Sequence, residues 1–233
     1  METVLNIIMN PIKAFNQLKA ENKFPVITFI ILLTLVLIHL ILNVPIGSKV
    51  SELLFLNMSL PENQMDMIIQ MTHKMRYFSI LSGLVMYGIM LFIYTAILYL
   101  IALVFREKYD YSKTLRLIIS CSIILVIGDL VNDILVYYKG IDNIESMYSV
   151  MLTGANLLTS VENAGIAIYL FLSYINPFQI WFVFLLILGF KILMDSNWVK
   201  SSIICIIYWL IVTLFPVIST YLSQVTLANK GII

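Results

Sequence analysis

Five long apolar runs, at residues 24–42, 78–104, 115–135, 177–194 and 202–221, constrain this chain more than any motif in it. A helix needs about 20 apolar residues to cross the hydrocarbon core of a bilayer, and each run approaches or exceeds that length. No water is present there to satisfy a bare peptide group, so a run that crosses is helical. The expectation is an all-α, polytopic integral membrane protein: a bundle of about five transmembrane helices with short amphipathic or interfacial helices. Composition agrees. Of the 233 residues 61% are hydrophobic and 12% charged, where a soluble domain carries about 25% charged residues. Residues 24–221 therefore read as a single five-span domain, with little chain left for a soluble catalytic module.

The flanks and loops carry weaker signals. Residues 1–23 read as a cytoplasmic amphipathic segment. Asn10 can cap a helix there and Pro11 suits its first position; Ile12, Phe15 and Leu18 recur at helical spacing, with Lys13 and Lys19 among the polar positions. Such a helix lies in the headgroup plane or packs on the bundle, and the sequence leaves both open. Met1, Glu2 and Thr3 lack the positive charge of a cleavable signal peptide, so the first span is expected to be retained. Pro45 and Gly47 signal a turn after the first span. Loops follow at 48–76 and 136–163, the first with an amphipathic helix starting near Pro61 and a Met-rich side from Met58 to Met75. Residues 164–173 are too few to span and suggest an interfacial or re-entrant helix; the alternative joins 152–174 into a sixth span with Glu162 and Asn163 near its middle.

Lys and Arg counts set the orientation. With the N-terminus inside, nine (Lys13, Lys19, Lys23, Arg106, Lys108, Lys113, Arg116, Lys191, Lys200) face the cytoplasm and five (Lys49, Lys74, Arg76, Lys139, Lys230) face out. The expected arrangement is a multi-pass plasma-membrane protein with its N-terminus cytoplasmic and the tail at 222–233 extracytoplasmic. Frequent Ile, Asn and Lys hint at an AT-rich bacterial genome. Cys121 and Cys205 fall within the third and fifth runs, where small buried apolar residues are expected rather than a disulfide.

The main chemical signal is Gly128-Asp129-Leu130-Val131-Asn132-Asp133 in the outer half of the third run. Asp129, Asn132 and Asp133 fall within one turn and share a helix face. Intramembrane carboxylates face the bundle interior or a wet cavity. His39 lies at similar depth in the first run and meets Asp133 if those helices touch. This candidate intramembrane polar site suits an ion, proton or substrate; the plainer reading is a helix end whose carboxylates reach water or a neighbouring helix. One His and two Asp on separate helices are a poor metal set, and His73 is not at ligand spacing. Glu162, Asn163 and Asn156 fit a loop at the membrane surface. Tyr137, Tyr138, Tyr148, Tyr174 and Trp181 fit aromatic belts. Ser79 with Gly83, and Gly165 and Gly189, allow close helix contact. No H-E-x-x-H, phosphate-binding G-x-x-x-x-G-K-[ST] or G-x-S-x-G stands in the sequence. A net charge of +1 gives no bulk signal for nucleic acid. No catalytic residue, cofactor or metal is expected.

Two stretches resemble the YIP family, membrane proteins first named for interacting with Rab-type GTPases. One is Asn10-Pro11-Ile12-Lys13-Ala14-Phe15; the other is Asn176-Pro177-Phe178-Gln179-Ile180-Trp181, opening an apolar helix to Gly189-Phe190. The link at 109–116, a charged stretch with a Tyr-Ser turn, also looks like the family pattern. The resemblance implies a five-span helical domain with a cytoplasmic N-terminus and offers no catalytic residues to carry over. Eukaryotic relatives have a longer N-terminal region with Asp-Leu-Tyr-Gly-Pro-like sequences, absent here, so a Rab-type GTPase is not expected as partner. The chain is similar to the short bacterial branch, some members of which accompany ABC-type exporters. The resulting expectation is a non-enzymatic accessory or scaffold protein in the lipid bilayer, assembling with ABC exporter subunits. The alternative is a small autonomous transporter or channel using Asp129, Asn132 and Asp133. An intramembrane enzyme would need the two aspartates as acid and base, and both sit on one helix.

Overall fold

The computed structural model describes residues 2–21, 25–57, 75–105, 110–144, 146 and 148–229. Among them there are helices and turns and no strand. In chain order the helices are α1 (Glu2–Met9), α2 (Pro11–Glu21), α3 (Val26–Asn57), α4 (Arg76–Val104), α5 (Tyr111–Lys139), α6 (Val161–Ala164), α7 (Ile166–Ser173), α8 (Pro177–Leu193) and α9 (Trp198–Asn229). Four of them, α3, α4, α5 and α9, are long and apolar enough to cross a membrane. The broken pair α7–α8 makes a fifth if it counts as one span. The protein is thus a helical, polytopic membrane bundle, the class expected from the apolar runs.

Short polar side chains start the helices. The Asn10 carboxamide accepts from the Lys13 N–H at 3.3 Å, with Pro11 at the first position of α2. Asp110 accepts from the Ser112 N–H at 2.9 Å before α5, and Asn197 from the Lys200 N–H at 2.8 Å before α9. Each satisfies one of the amide donors that a helix leaves unpaired at its start. The α4 surface then shows what solvent the helices are made for. Phe78, Leu81, Val85, Ile89 and Phe92 form a helical stripe, each 48–63% exposed. In water such a stripe would be a costly apolar patch; against lipid tails it is an ordinary surface.

The chain divides into two compact units. The first comprises Met1–Val36, Met86–Gly128 and Pro177–Leu214. Its centre is the first part of α5, where Leu117, Ile118, Ile119, Cys121 and Ile123 are buried. Helix α2 packs on α8, with the buried Phe15 over Gly189. The second unit comprises Leu37–Val85, Asp129–Asn176 and Phe215–Ile233. Ile46, Val136 and Ile144 form a small core there, covered by Val50, Leu53, Ile141, Val150 and Leu152. Gly83 of α4 gives close approach to Leu40 of α3: a Cβ on it would stand 3.0 Å from the leucine Cδ2.

Several local expectations are corrected. The turn expected at 43–47 is helix, because α3 continues through Pro45 to Asn57. A proline deprives carbonyls one turn earlier of helical donors, and spanning helices tolerate this where side chains replace them. Around the proline, side chains add hydrogen bonds to the backbone: the Tyr137 hydroxyl donates to the Leu42 carbonyl at 2.9 Å, and the Ser48 hydroxyl to the Val44 carbonyl at 2.8 Å. The loop expected at 48–76 therefore starts later, and the amphipathic helix expected near Pro61 lies outside the described residues. Residues 152–174 form no continuous helix. They are broken into a short turn at Ala155–Leu158, α6 and α7, with Gly165 at φ 74° between the two helices. That left-handed backbone favours glycine. The N-terminal segment is two helices rather than one, and Ile12 is 57% exposed while Ala14, Phe15 and Leu18 face inward.

Candidate functional site

The polar cluster singled out on the third apolar run lies on α5, in the second unit. Asp133 is 1% exposed. One carboxylate oxygen lies 2.7 Å from His39 Nδ1 of α3, and the other accepts from Asn43 Nδ2 at 3.2 Å. His39 and Asp133 are therefore brought together. His39 and Asn43 are four residues apart, on one face of α3, so a single turn grips the buried carboxylate from both sides. This arrangement answers the cost of placing a carboxylate among apolar helices.

Asn132 does not join that group. Its Nδ2 donates to the Val150 carbonyl at 2.9 Å, and its Oδ1 accepts from the Leu152 N–H at 2.8 Å. Both hydrogen-bonding ends of the amide are spent on one irregular segment, which makes Asn132 a strut for the loop after α5. Asp129 lies within electrostatic reach of both His39 and Asp133 but makes no hydrogen bond to them. Its side chain is exposed, and it has no hydrogen bond among the described residues. The expected trio thus separates into a gripped carboxylate, a strut and an exposed carboxylate. Among the described residues no group of three or more His, Cys, Asp or Glu is placed to hold a metal ion.

The aromatic residues of the two Asn-Pro stretches, Phe15 and Phe178, share a structural logic within the first unit. Phe15, five residues after Asn10, lies over Gly189 of α8. A Cβ on Gly189 would stand 2.8 Å from Phe15 Cε1 and Cζ and 2.4 Å from Leu117 Cδ1. Phe178, just after Pro177, lies over Gly128 of α5, where a Cβ would stand 2.7 Å from the ring Cγ. In both cases an aromatic ring is seated on a bare backbone, the close approach that only glycine permits. Pro177 opens α8, and the Asn176 side-chain amide donates to the Ser173 carbonyl at 3.1 Å. Trp181, 37% exposed, stacks on Phe184 with ring centroids 5.1 Å apart. Gln179 accepts from the Trp209 indole N–H at 3.3 Å, tying α8 to α9.

Three contributors escaped the sequence reading. Arg116 is 1% exposed, and its guanidinium donates to the Leu18 carbonyl in the last turn of α2 at 3.2 Å. A cation at the negative end of a helix is favourable, and here it fastens α2 to α5. The available signal was an arginine between Leu115 and Leu117, where a buried charge demands a partner. Asn43 looked like a turn residue, and Tyr137 like an interfacial aromatic. Lys19 forms an exposed ion pair with Asp195, and the Lys191 ammonium in the last turn of α8 sits 4.2 Å over the Trp198 ring.

These motif positions, ordered as they are along the chain, agree with a direct comparison. The family model for the Yip1 domain matches residues 5–220. No curated protein and no solved structure matches the chain. The matched stretch takes in both Asn-Pro motifs, the glycines beneath their aromatic rings, and His39 with Asp133. The chain belongs to the Yip1 domain family.

Proposed function

We propose that this protein is a non-enzymatic accessory subunit that assembles with a partner membrane complex, an ABC-type exporter of the bacterial plasma membrane. One observation carries the reading. The polar side chains within the spanning helices are largely committed to the fold itself: Asp133 to His39 and Asn43, Asn132 to the backbone at 150 and 152, Arg116 to the end of α2. Side chains so engaged serve to hold helices in register. Membership of the Yip1 domain family supports a membrane-embedded role, and the likeness to the short bacterial branch supports the exporter as partner. The sequence has no phosphate-binding loop, so nucleotide energy would come from that partner. The Lys and Arg balance supports a cytoplasmic N-terminus. Deletion of the protein should lower partner assembly and export or toxin resistance together. Unchanged assembly and export in the deletion strain reject the proposal.

A second reading has an observation of its own. Asp129 and Asp133, one turn apart on α5, with His39 of α3 against Asp133, place two carboxylates and an imidazole near one another, as a small proton or cation transporter needs. In reconstituted vesicles that reading requires pH-dependent flux that Asp129→Asn abolishes. Flux that is absent, or untouched by the substitution, rejects it.

A further inference from the structure

Helix α1 is apolar on two opposite sides. Ile7 is fully buried. Leu5 and Met9, four residues apart and so on one side of the helix, are 54% and 83% exposed. Each is two residues from Ile7, which puts them on the side away from it. Ile12, just inside α2, is 57% exposed. A helix packed on a protein and otherwise in water carries polar groups opposite its packed stripe. Helix α2 partly follows that rule: Ala14, Phe15 and Leu18 are buried, and Lys13 and Asn16 are exposed on the other side. Helix α1 has Leu and Met there instead.

Two contacts within the first unit fix the level at which these side chains lie. The Leu18 carbonyl accepts from Arg116 of α5, and Phe15 lies against Gly189 of α8, beside Leu117. Arg116 is where the charge on α5 stops, since residues 117–128 carry none. On α8, residues 177–190 carry none and Lys191 follows. Phe15 and Leu18 are therefore held where both helices change from charged to apolar, which is the headgroup boundary of a spanning helix. Ile12 is three residues from Phe15, about 4.5 Å along α2, within the zone of about 5–10 Å that interfacial helices occupy. The exposed apolar surface resumes at the start of α3, where Val26, Ile27 and Ile30 are each 55–64% exposed.

We propose that Leu5, Met9 and Ile12 are seated in a phospholipid leaflet, at the glycerol level on the N-terminal side of the membrane. Helix α1 is then held between lipid and protein, with Lys13 and Asn16 of α2 toward headgroups and water. The level of α2 and the continuity with the lipid-facing start of α3 select lipid as the occupant. This contact involves no exporter and is independent of the accessory role.

The test uses the unmodified full chain, so no substitution can disturb the fold. It is reconstituted in phosphatidylcholine vesicles that include phosphatidylcholine with a diazirine near the glycerol end of one acyl chain. After irradiation, mass spectrometry maps the lipid adducts. Leu5, Met9 and Ile12 should carry adducts at yields comparable to Val26, Ile27 and Ile30, and severalfold above those on Lys13 and Asn16. Adducts on residues 26–30 with none on residues 5–12 overturn the proposal. Equal yields on Lys13, Asn16 and the three apolar side chains also overturn it, because α1 and α2 then have no lipid-facing side. Irradiation of native membranes carrying the same lipid identifies a protein occupant: adducts found in vesicles but missing from residues 5–12 there overturn the proposal in favour of a partner protein. Adducts on residues 5–12 that vanish as the protein density in the vesicles rises overturn it in favour of a second copy.

Discussion

Gly189→Ala should loosen the first unit, and the size of the effect follows from distances. The new Cβ would stand 2.4 Å from Leu117 Cδ1 and 2.8 Å from two ring carbons of Phe15. Carbon atoms prefer about 3.5–4.0 Å, so both neighbours have to retreat by roughly 1 Å. Neither has space, since Phe15 and Leu117 are both 0% exposed. Overpacking of this kind costs about 1–3 kcal/mol. The protein carries its own reporters, because Cys121 and Cys205 are free, buried thiols of the same unit. When opening is fast relative to labelling, a maleimide reads the population of the open form. The labelling rate should therefore rise about 5- to 150-fold in Gly189→Ala. Phe15→Leu in the same chain should restore part of the protection by removing the ring. Labelling of Gly189→Ala at the wild-type rate would refute the claim that Phe15, Leu117 and Gly189 form a close-packed contact.

Other substitutions separate the roles of the polar groups. His39→Ala leaves the buried Asp133 carboxylate with Asn43 alone and should cost about 3–5 kcal/mol. His39→Leu with Asp133→Leu should recover most of that in detergent unfolding followed by circular dichroism, because no buried carboxylate is left without its partner. Asn132→Ala loses two hydrogen bonds, each worth about 0.5–1.5 kcal/mol, and amide exchange at residues 150–152 should accelerate. Tyr137→Phe removes the donor to the Leu42 carbonyl next to Pro45 and should cost about 0.5–1.5 kcal/mol, seen as faster exchange in α3 around the proline. Asp195→Ala breaks only an exposed ion pair and should shift stability by less than about 1 kcal/mol; a larger loss would show that the pair holds α2 in place.

The fold class was legible because hydropathy over 20 residues is a strong, local signal. The helix starts at Asn10–Pro11 and Pro177 were legible for the same reason, since capping depends on neighbouring residues. What the sequence concealed depends on partners distant in the chain. Pro45 reads as a turn until Tyr137, 92 residues later, is found supplying a donor to the Leu42 carbonyl. Asp129, Asn132 and Asp133 share a helix face by spacing. Which of them is gripped, which braces a loop and which stays open depends on α3 and on the backbone at 150–152. Arg116 counted as a topological charge, and only the position of the α2 C-terminus shows it as a clamp. The family motifs lie between these cases. The Asn-Pro pairs were visible, but the pairing of Phe15 with Gly189 and Phe178 with Gly128 needed the structure.

The most direct measurement of the central claim is purification of the tagged, full-length protein in mild detergent, with mass spectrometry of the bound species and their stoichiometry. The account predicts ABC permease and ATPase subunits at near-stoichiometric yield. A monodisperse protein free of partners, paired with Asp129-dependent proton flux in vesicles, would contradict it.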